Sequence, residues 1–281
     1  MNIYKVLILM LLLNTMAFAE LNLSIVPQKI KSGSCLTIII SGEGLVSAKG
    51  NFLDQNFTFY NSGSVLKGII GVPCELAGGD FILKVEGTKL DGEKEELQRN
   101  IAILGYAFPT TSFWLKPAKK KIMNSRDIVG EEWAMIEPYL LKEDPTQAWQ
   151  GKFILPSKEG PFSMLFGINE IVNGKKRSQH RGLDIAVSFG TPIKAPNDGR
   201  VVFAKNLIAF GGTMIIDHGQ GIHTLYFHLS KFLKEPGEEV AKGDVIARSG
   251  NSGISSGPHL HWGMSVHNLR VDPYQWVKST F

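Results

Sequence analysis

Residues 199–229 read GRVVFAKNLIAFGGTMIIDHGQGIHTLYFHL, and this stretch decides the fold. Three runs of β-branched and aromatic residues, Arg200–Ala204, Thr213–Asp217 and Thr224–His228, are separated by Gly211-Gly212 and by Gly219 and Gly221. Short strands joined by glycine turns are antiparallel, because tight turns reverse the chain and a parallel pair needs a long crossover. The same punctuation continues outward through Gly190, Gly237, Gly243, Gly250, Gly253 and Gly257, with a further run at Asp244–Ala247. Residues 151–281 are therefore expected to form a compact antiparallel β domain.

All seven histidines fall in this segment. Two pairs stand out, His180-Arg-Gly-Leu-Asp184 and His259-Leu-His261. In a strand, residues two apart share a face, so His259 and His261 converge while Leu260 turns to the core. His180 and Asp184, fully extended, stand about 13 Å apart, whereas ligand atoms around tetrahedral zinc are about 3.4 Å from one another. The chain must bend between them, and Gly182 is expected to supply the freedom. Two imidazoles and a carboxylate leave a fourth position open for water, the pattern of a catalytic zinc. There is no His-Glu-x-x-His helix, so a glutamate base is not indicated.

Around these pairs stand Gln179-His-Arg-Gly-Leu-Asp-Ile-Ala186, Gly190-Thr-Pro-Ile193, Ala195-Pro-Asn-Asp-Gly199, Tyr226-Phe-His-Leu229, Gly250-Asn-Ser-Gly253 and Ser256-Gly-Pro-His-Leu-His261, in that order. Together they resemble the lysostaphin/LytM-type zinc endopeptidases from about Phe153 to Trp276. The resemblance implies that His180, Asp184 and His261 hold zinc and that His228 and His259 are the catalytic pair beside it. It implies a peptidoglycan hydrolase whose partners are the peptides of the bacterial cell wall. One departure is that Phe166-Gly167 is followed by Ile168-Asn169, where relatives often carry Arg. Tyr226, expected to share the face of His228, is a candidate substrate contact. His218, His223 and His267 are read as surface or satisfied interior residues.

Residues 20–107 hold no histidine and read as short strands: Leu36–Ile40, Asn56–Tyr60, Val65–Ile70, Phe81–Val85 and Asn100–Leu104. They predict a small Ig-like β-sandwich with a structural or targeting role. Cys35 and Cys74 are either a disulfide or two buried thiols. Residues 108–150 read as a linker with one short helix over Arg126–Leu141. Its apolar positions are Ile128, Trp133, Ile136 and Leu140, Ser125 or Asp127 is the N-cap, and Pro138 disturbs its end. The fold class expected is thus mainly β, with two domains and a short helical linker.

Lys5, the apolar run Val6–Leu13 and the small residues Ala17 and Ala19 match a secretory signal cleaved after Ala19. The mature protein is expected to be exported to the periplasm and not to be membrane-embedded after cleavage. With 281 residues, 43% hydrophobic and 20% charged, the chain has room for about two domains. A formal charge of +4 and the lack of interleaved basic and aromatic residues do not point to nucleic acid. Lacking a lipobox, sorting signal or wall-binding repeat, the chain is expected to cut D-alanyl–diaminopimelate crosslinks rather than pentaglycine. The resemblance leaves one alternative, a non-catalytic relative that activates another wall hydrolase, and such relatives typically lack a ligand that this chain has.

Overall fold

The computed structural model describes residues 20–281; the expected signal segment, 1–19, lies outside them. The chain is mostly β. Its front part is two sheets packed face to face. One orders the strands Asn22–Val26, Cys35–Ser41, Val65–Gly71 and Tyr60–Ser62. The other orders Lys29–Lys31, Lys94–Leu104, Gly79–Lys89, Leu45–Phe52 and Gln55–Thr58. Alternating residues of each sheet meet in one apolar core. Leu36, Ile38 and Ile40 come from the first sheet, and Leu83, Val85, Ile101 and Ile103 from the second. Period-two alternation places these side chains inward, and burying both inner faces is what holds a sandwich together. Cys35 and Cys74 are both buried free thiols, so no disulfide links the strands.

The C-terminal sheet is antiparallel at every pairing. Its order is Phe162–Met164, Leu183–Ile185, Leu260–Val266, Ile222–Leu229, Gly212–Gly219, Gly199–Asn206 and Glu239–Val240, with Leu269–Val271 paired to Leu260–Val266. The three runs of residues 199–229 are its consecutive central hairpins. Ile222–Leu229 is buried along its whole length, so both faces of this strand are covered. One face joins Ile193, Met214, Ile216, Tyr226, Leu260 and Trp262 in a core. The other receives Ile136 and Leu140 of a helix against Phe203, Ile215, Leu225 and Phe227.

That helix, Arg126–Leu140, is capped by Ser125, whose hydroxyl accepts from the Ile128 amide, and Pro138 sits in its last turn. The preceding segment is more than a linker with one short helix. Thr110–Phe113 adds a parallel strand to Asn169–Val172, and a second helix spans Pro117–Asn124. Glu132 lies on the buried stripe between Ile128 and Ile136, spaced by four on each side. Its carboxylate accepts from the backbone amides of Ile208, Ala209 and Phe210 and ties that loop to the helix.

Front and rear parts share a core. Cys35 and Ile69 pack with Trp149, Phe153, Ile222, Met264, Val271 and Trp276. The Gln275 side chain accepts from the Cys35 amide at 2.7 Å and donates to the Cys35 carbonyl at 2.9 Å. No described helix is long and apolar enough to cross a membrane.

Candidate metal centre and cleft

Asp184 and His261 are directly opposed on neighbouring antiparallel strands, Leu183–Ile185 and Leu260–Val266. Opposed residues project to one face, which brings the carboxylate and the imidazole together. His180 comes from the bend just after the Lys175–Gln179 strand. Gly182 serves this bend differently from the expectation. Its φ is not positive, and a Cβ placed on it would lie 2.5 Å from His261 Nε2. It provides clearance for the imidazole, not left-handed backbone.

The three donor atoms stand within hydrogen-bond distance of one another. His180 Nε2 is 3.1 Å from Asp184 Oδ1 and 3.0 Å from His261 Nδ1, and His261 Nδ1 is 2.8 Å from Asp184 Oδ1. These separations fall a few tenths of an ångström short of the roughly 3.4 Å between ligand atoms around tetrahedral zinc. His180 Nδ1 donates to the Leu165 carbonyl at 3.0 Å, which leaves Nε2 with its lone pair turned toward the cluster. Burial opposes charge on both partners. Even so, the neighbouring histidines hold the Asp184 carboxyl well below its ordinary range, and Asp184 raises the His180 imidazole. The cluster thus draws positive charge, and a divalent cation meets that demand with three protein ligands already converged. The residues present fit a zinc ion.

His228 and His259 face this cluster. His228 Nδ1 donates to the Ser252 carbonyl at 2.8 Å, and His259 Nδ1 to the Gly257 carbonyl at 2.9 Å. Both Nε2 atoms are left free of protein carbonyls, and His259 Nε2 lies 3.6 Å from Asp184 Oδ2. The two rings are 4.7 Å apart. Burial, reinforced by His259 and His261, pushes His228 down to about 3, so it is a neutral imidazole at neutral pH.

His228 reaches the cleft through a left-handed backbone, φ +62°, where the pairing with Gly212–Gly219 slips. This kink overturns the reading of Tyr226. With the alternation broken, Tyr226 does not share the face of His228. It is fully buried, and its hydroxyl lies 2.9 Å from Thr224 Oγ1. It is a core residue with no access to substrate. Phe227 instead stacks on the His261 ring, 5.2 Å away and 18° from parallel. A non-glycine residue at positive φ is a strained conformation that packing must hold.

The five residues open into a cleft of about 630 Å³. Its other wall is the segment that precedes the domain: Phe113, Met123, Val129 and Trp133. Lys119 fastens that segment to the loop before His259, donating to the Asn251 and Ser255 carbonyls. His218, His223 and His267 lie outside the cleft. His218 bridges the Asp198 carbonyl and Thr224 Oγ1, and His267 bridges Glu143 and the Ile69 carbonyl. Among the cleft residues that escaped the reading of the sequence are the charged residues Glu170 and Arg270. Nothing in their local pattern marks them, since both are brought in by strand pairing.

Residues 178–273 match peptidase family M23. A metalloprotease of Haemophilus influenzae is 45% identical over 103 residues, 36% of this chain and 22% of that protein. Peptidoglycan DD-endopeptidase ShyA of Vibrio cholerae is 40% identical over 98 residues, 35% of this chain and 23% of that protein. The chain therefore spans under a quarter of the length of these two relatives. A solved structure of an M23 peptidase from Pseudomonas aeruginosa superposes with a TM-score of 0.66 at 25% identity, over 88% of this chain and 94% of that one.

Proposed function

We propose that the M23 peptidase domain carried by this chain is a zinc-dependent hydrolase of bacterial cell-wall peptides, acting as a D,D-endopeptidase on D-alanyl–diaminopimelate crosslinks. The observation that carries this reading is the convergence of His180, Asp184 and His261, with His228 and His259 beside them. The DD-endopeptidase name of the Vibrio cholerae relative supports the choice of bond.

His180, Asp184 and His261 would hold the metal, which supplies a Lewis acid and an activated water at neutral pH. The residues of the chain do the rest. The Leu165 carbonyl fixes the tautomer of His180 so that a lone pair faces the ligand position. The Ser252 and Gly257 carbonyls do the same for His228 and His259, so each presents Nε2 to the reacting amide. A neutral Nε2 accepts the proton of the attacking water, and a protonated one donates to the departing amine. The strained backbone at His228 and the apolar wall around Trp133 hold these groups in place and limit water in the cleft. The basic, apolar and small-residue pattern of residues 5–19 supports export to the periplasm, where a wall substrate lies.

The test is to load the purified chain with zinc and digest purified cell wall. One zinc per chain and conversion of crosslinked dimeric muropeptides to monomers are expected. Intact crosslinks with zinc bound would leave the activator role, measurable as stimulation of a second wall hydrolase.

A further inference from the structure

Arg270 is a buried cation of the cleft that has no counter-ion among the described residues. The residue is 7% exposed and lines the cleft. Pairing of Leu269–Val271 with Leu260–Val266 sets it opposite Ser265, on the strand that carries His261. The guanidinium lies 5.9 Å from the Phe227 ring and 6.0 Å from that of Trp133. Its one hydrogen bond among the described residues runs from Nη2 to the Arg181 carbonyl, 2.7 Å. Nε is buried and has no partner. The charge next to it is the like-signed Arg181, which pairs with Glu75. A Cβ at Gly263 would fall 1.8 Å from Nη2, so the neighbouring strand gives up a side chain to admit the guanidinium.

An unpaired buried charge is costly, and aromatic faces offset only part of that cost. Arginine stays charged in proteins, so the deficit is not relieved by losing a proton. An anion entering the cleft relieves it. The planar fork of a guanidinium matches a carboxylate with two parallel hydrogen bonds, and peptides carry carboxylates. The Phe227 ring beside the guanidinium stacks on His261, 5.2 Å away, which sets the anion beside the metal cluster and not at a remote end of the cleft.

We propose that Arg270 is the carboxylate-binding residue of this cleft, so that the chain selects peptides with a free carboxylate next to the bond being cut. The proposal rests on the peptidase reading of the same cleft. It makes Arg270 a specificity residue that grips the amine-side residue of the substrate.

The experiment uses the zinc-loaded full chain and two peptides that differ in one group. Each mimics a crosslink with the scissile amide replaced by a ketomethylene group. One ends in a free carboxylate beside that position and the other in a carboxamide. By calorimetry the carboxylate peptide should bind about tenfold to a hundredfold more tightly. Arg270→Gln should bring the two affinities within about threefold. Arg270→Lys, which keeps the charge and the packed stem but not the fork, should retain a reduced preference and serves if the glutamine variant does not fold. Arg181→Gln should leave the preference intact. Equal affinities in the unmodified chain, or an unchanged preference in either folded Arg270 variant, would overturn the proposal. Hydrolysis of the parent amide is followed in the same samples. Carboxylate preference without hydrolysis removes the peptidase reading and leaves the arginine site standing, and hydrolysis without preference does the reverse.

Discussion

The front sandwich and the C-terminal sheet are built from the same kind of strand but fill their interiors differently. The front core is aliphatic and aromatic throughout, and among the described residues of that region only Ser32, Thr37 and Lys89 are buried polar or charged groups. The C-terminal sheet buries His180, Asp184, Asn197, His218, His223, His228 and Arg270. An apolar interior is held by area removed from water and tolerates substitutions that preserve volume. A polar interior needs a partner for each group, so a change at one residue is felt at its neighbours. The contrast teaches where each region fails. The front part should fail by losing stability, and the rear part by losing chemistry before it unfolds.

The largest expected effects are in the metal cluster. His180→Ala, Asp184→Ala and His261→Ala should lose both zinc and activity, because two remaining ligands cannot hold the ion. His228→Ala and His259→Ala should keep zinc while turnover on crosslinked muropeptides falls by about 100-fold or more. Zinc content by mass spectrometry beside turnover separates the two groups. If His259→Ala loses its metal while His261→Ala keeps it, the roles are exchanged.

A smaller effect, of opposite character, should come from Leu83, fully buried in the front core. Leu83→Ala should cost about 2–5 kcal/mol of stability. Turnover per folded molecule should be unchanged in denaturant-free buffer. A fall in turnover without loss of stability would break the contrast between the regions. Glu132→Ala should cost about 3 kcal/mol in a urea melt, because three backbone amides lose a buried carboxylate.

The smallest effect sharpens the comparison by pH. Burial pushes His218 down to about 3 from an ordinary value of 6.5. Between those values only the unfolded chain takes up the proton. The stability tied to this residue is therefore fully present above pH 6.5 and is lost as the pH falls toward 3. His218→Gln should flatten the stability profile by about 2 kcal/mol between pH 6.5 and 5, at 1.36 kcal/mol per pH unit. An unchanged slope would show that His218 does not carry the acid sensitivity.

Much of this was legible because it follows local rules. Glycine turns between alternating runs specified the central hairpins, and of the two candidate N-caps, Ser125 and Asp127, Ser125 starts the Arg126–Leu140 helix. The pairs His180/Asp184 and His259/His261 only suggested a metal site, and the resemblance of the surrounding motifs assigned the ligands and added His228. What was missed needed knowledge of pairing. Tyr226 was misplaced because strand alternation was extended through His228, where a slip in register turns the backbone. The role of Gly182 depends on a ring that arrives from residue 261, 79 positions later in the chain. Arg270 is called into the cleft by its pairing with Ser265, and no short-range pattern announces that. Glu132 was the exception that left a signal: a carboxylate on an otherwise apolar helical stripe asks for buried donors, and the loop 208–210 provides them.

The wall formed by Phe113, Met123, Val129 and Trp133 bears on how this molecule can be taken apart. A fragment trimmed to the family match, 178–273, would retain the five site residues and expose the apolar side of their cleft to solvent. It would also drop Trp149 and Phe153, which share a core with Val271. The natural unit for transplantation is longer. A chimera that exchanges front modules should be spliced upstream of Thr110, so that the parallel strand, both helices and the Lys119 tether travel with the cleft they enclose.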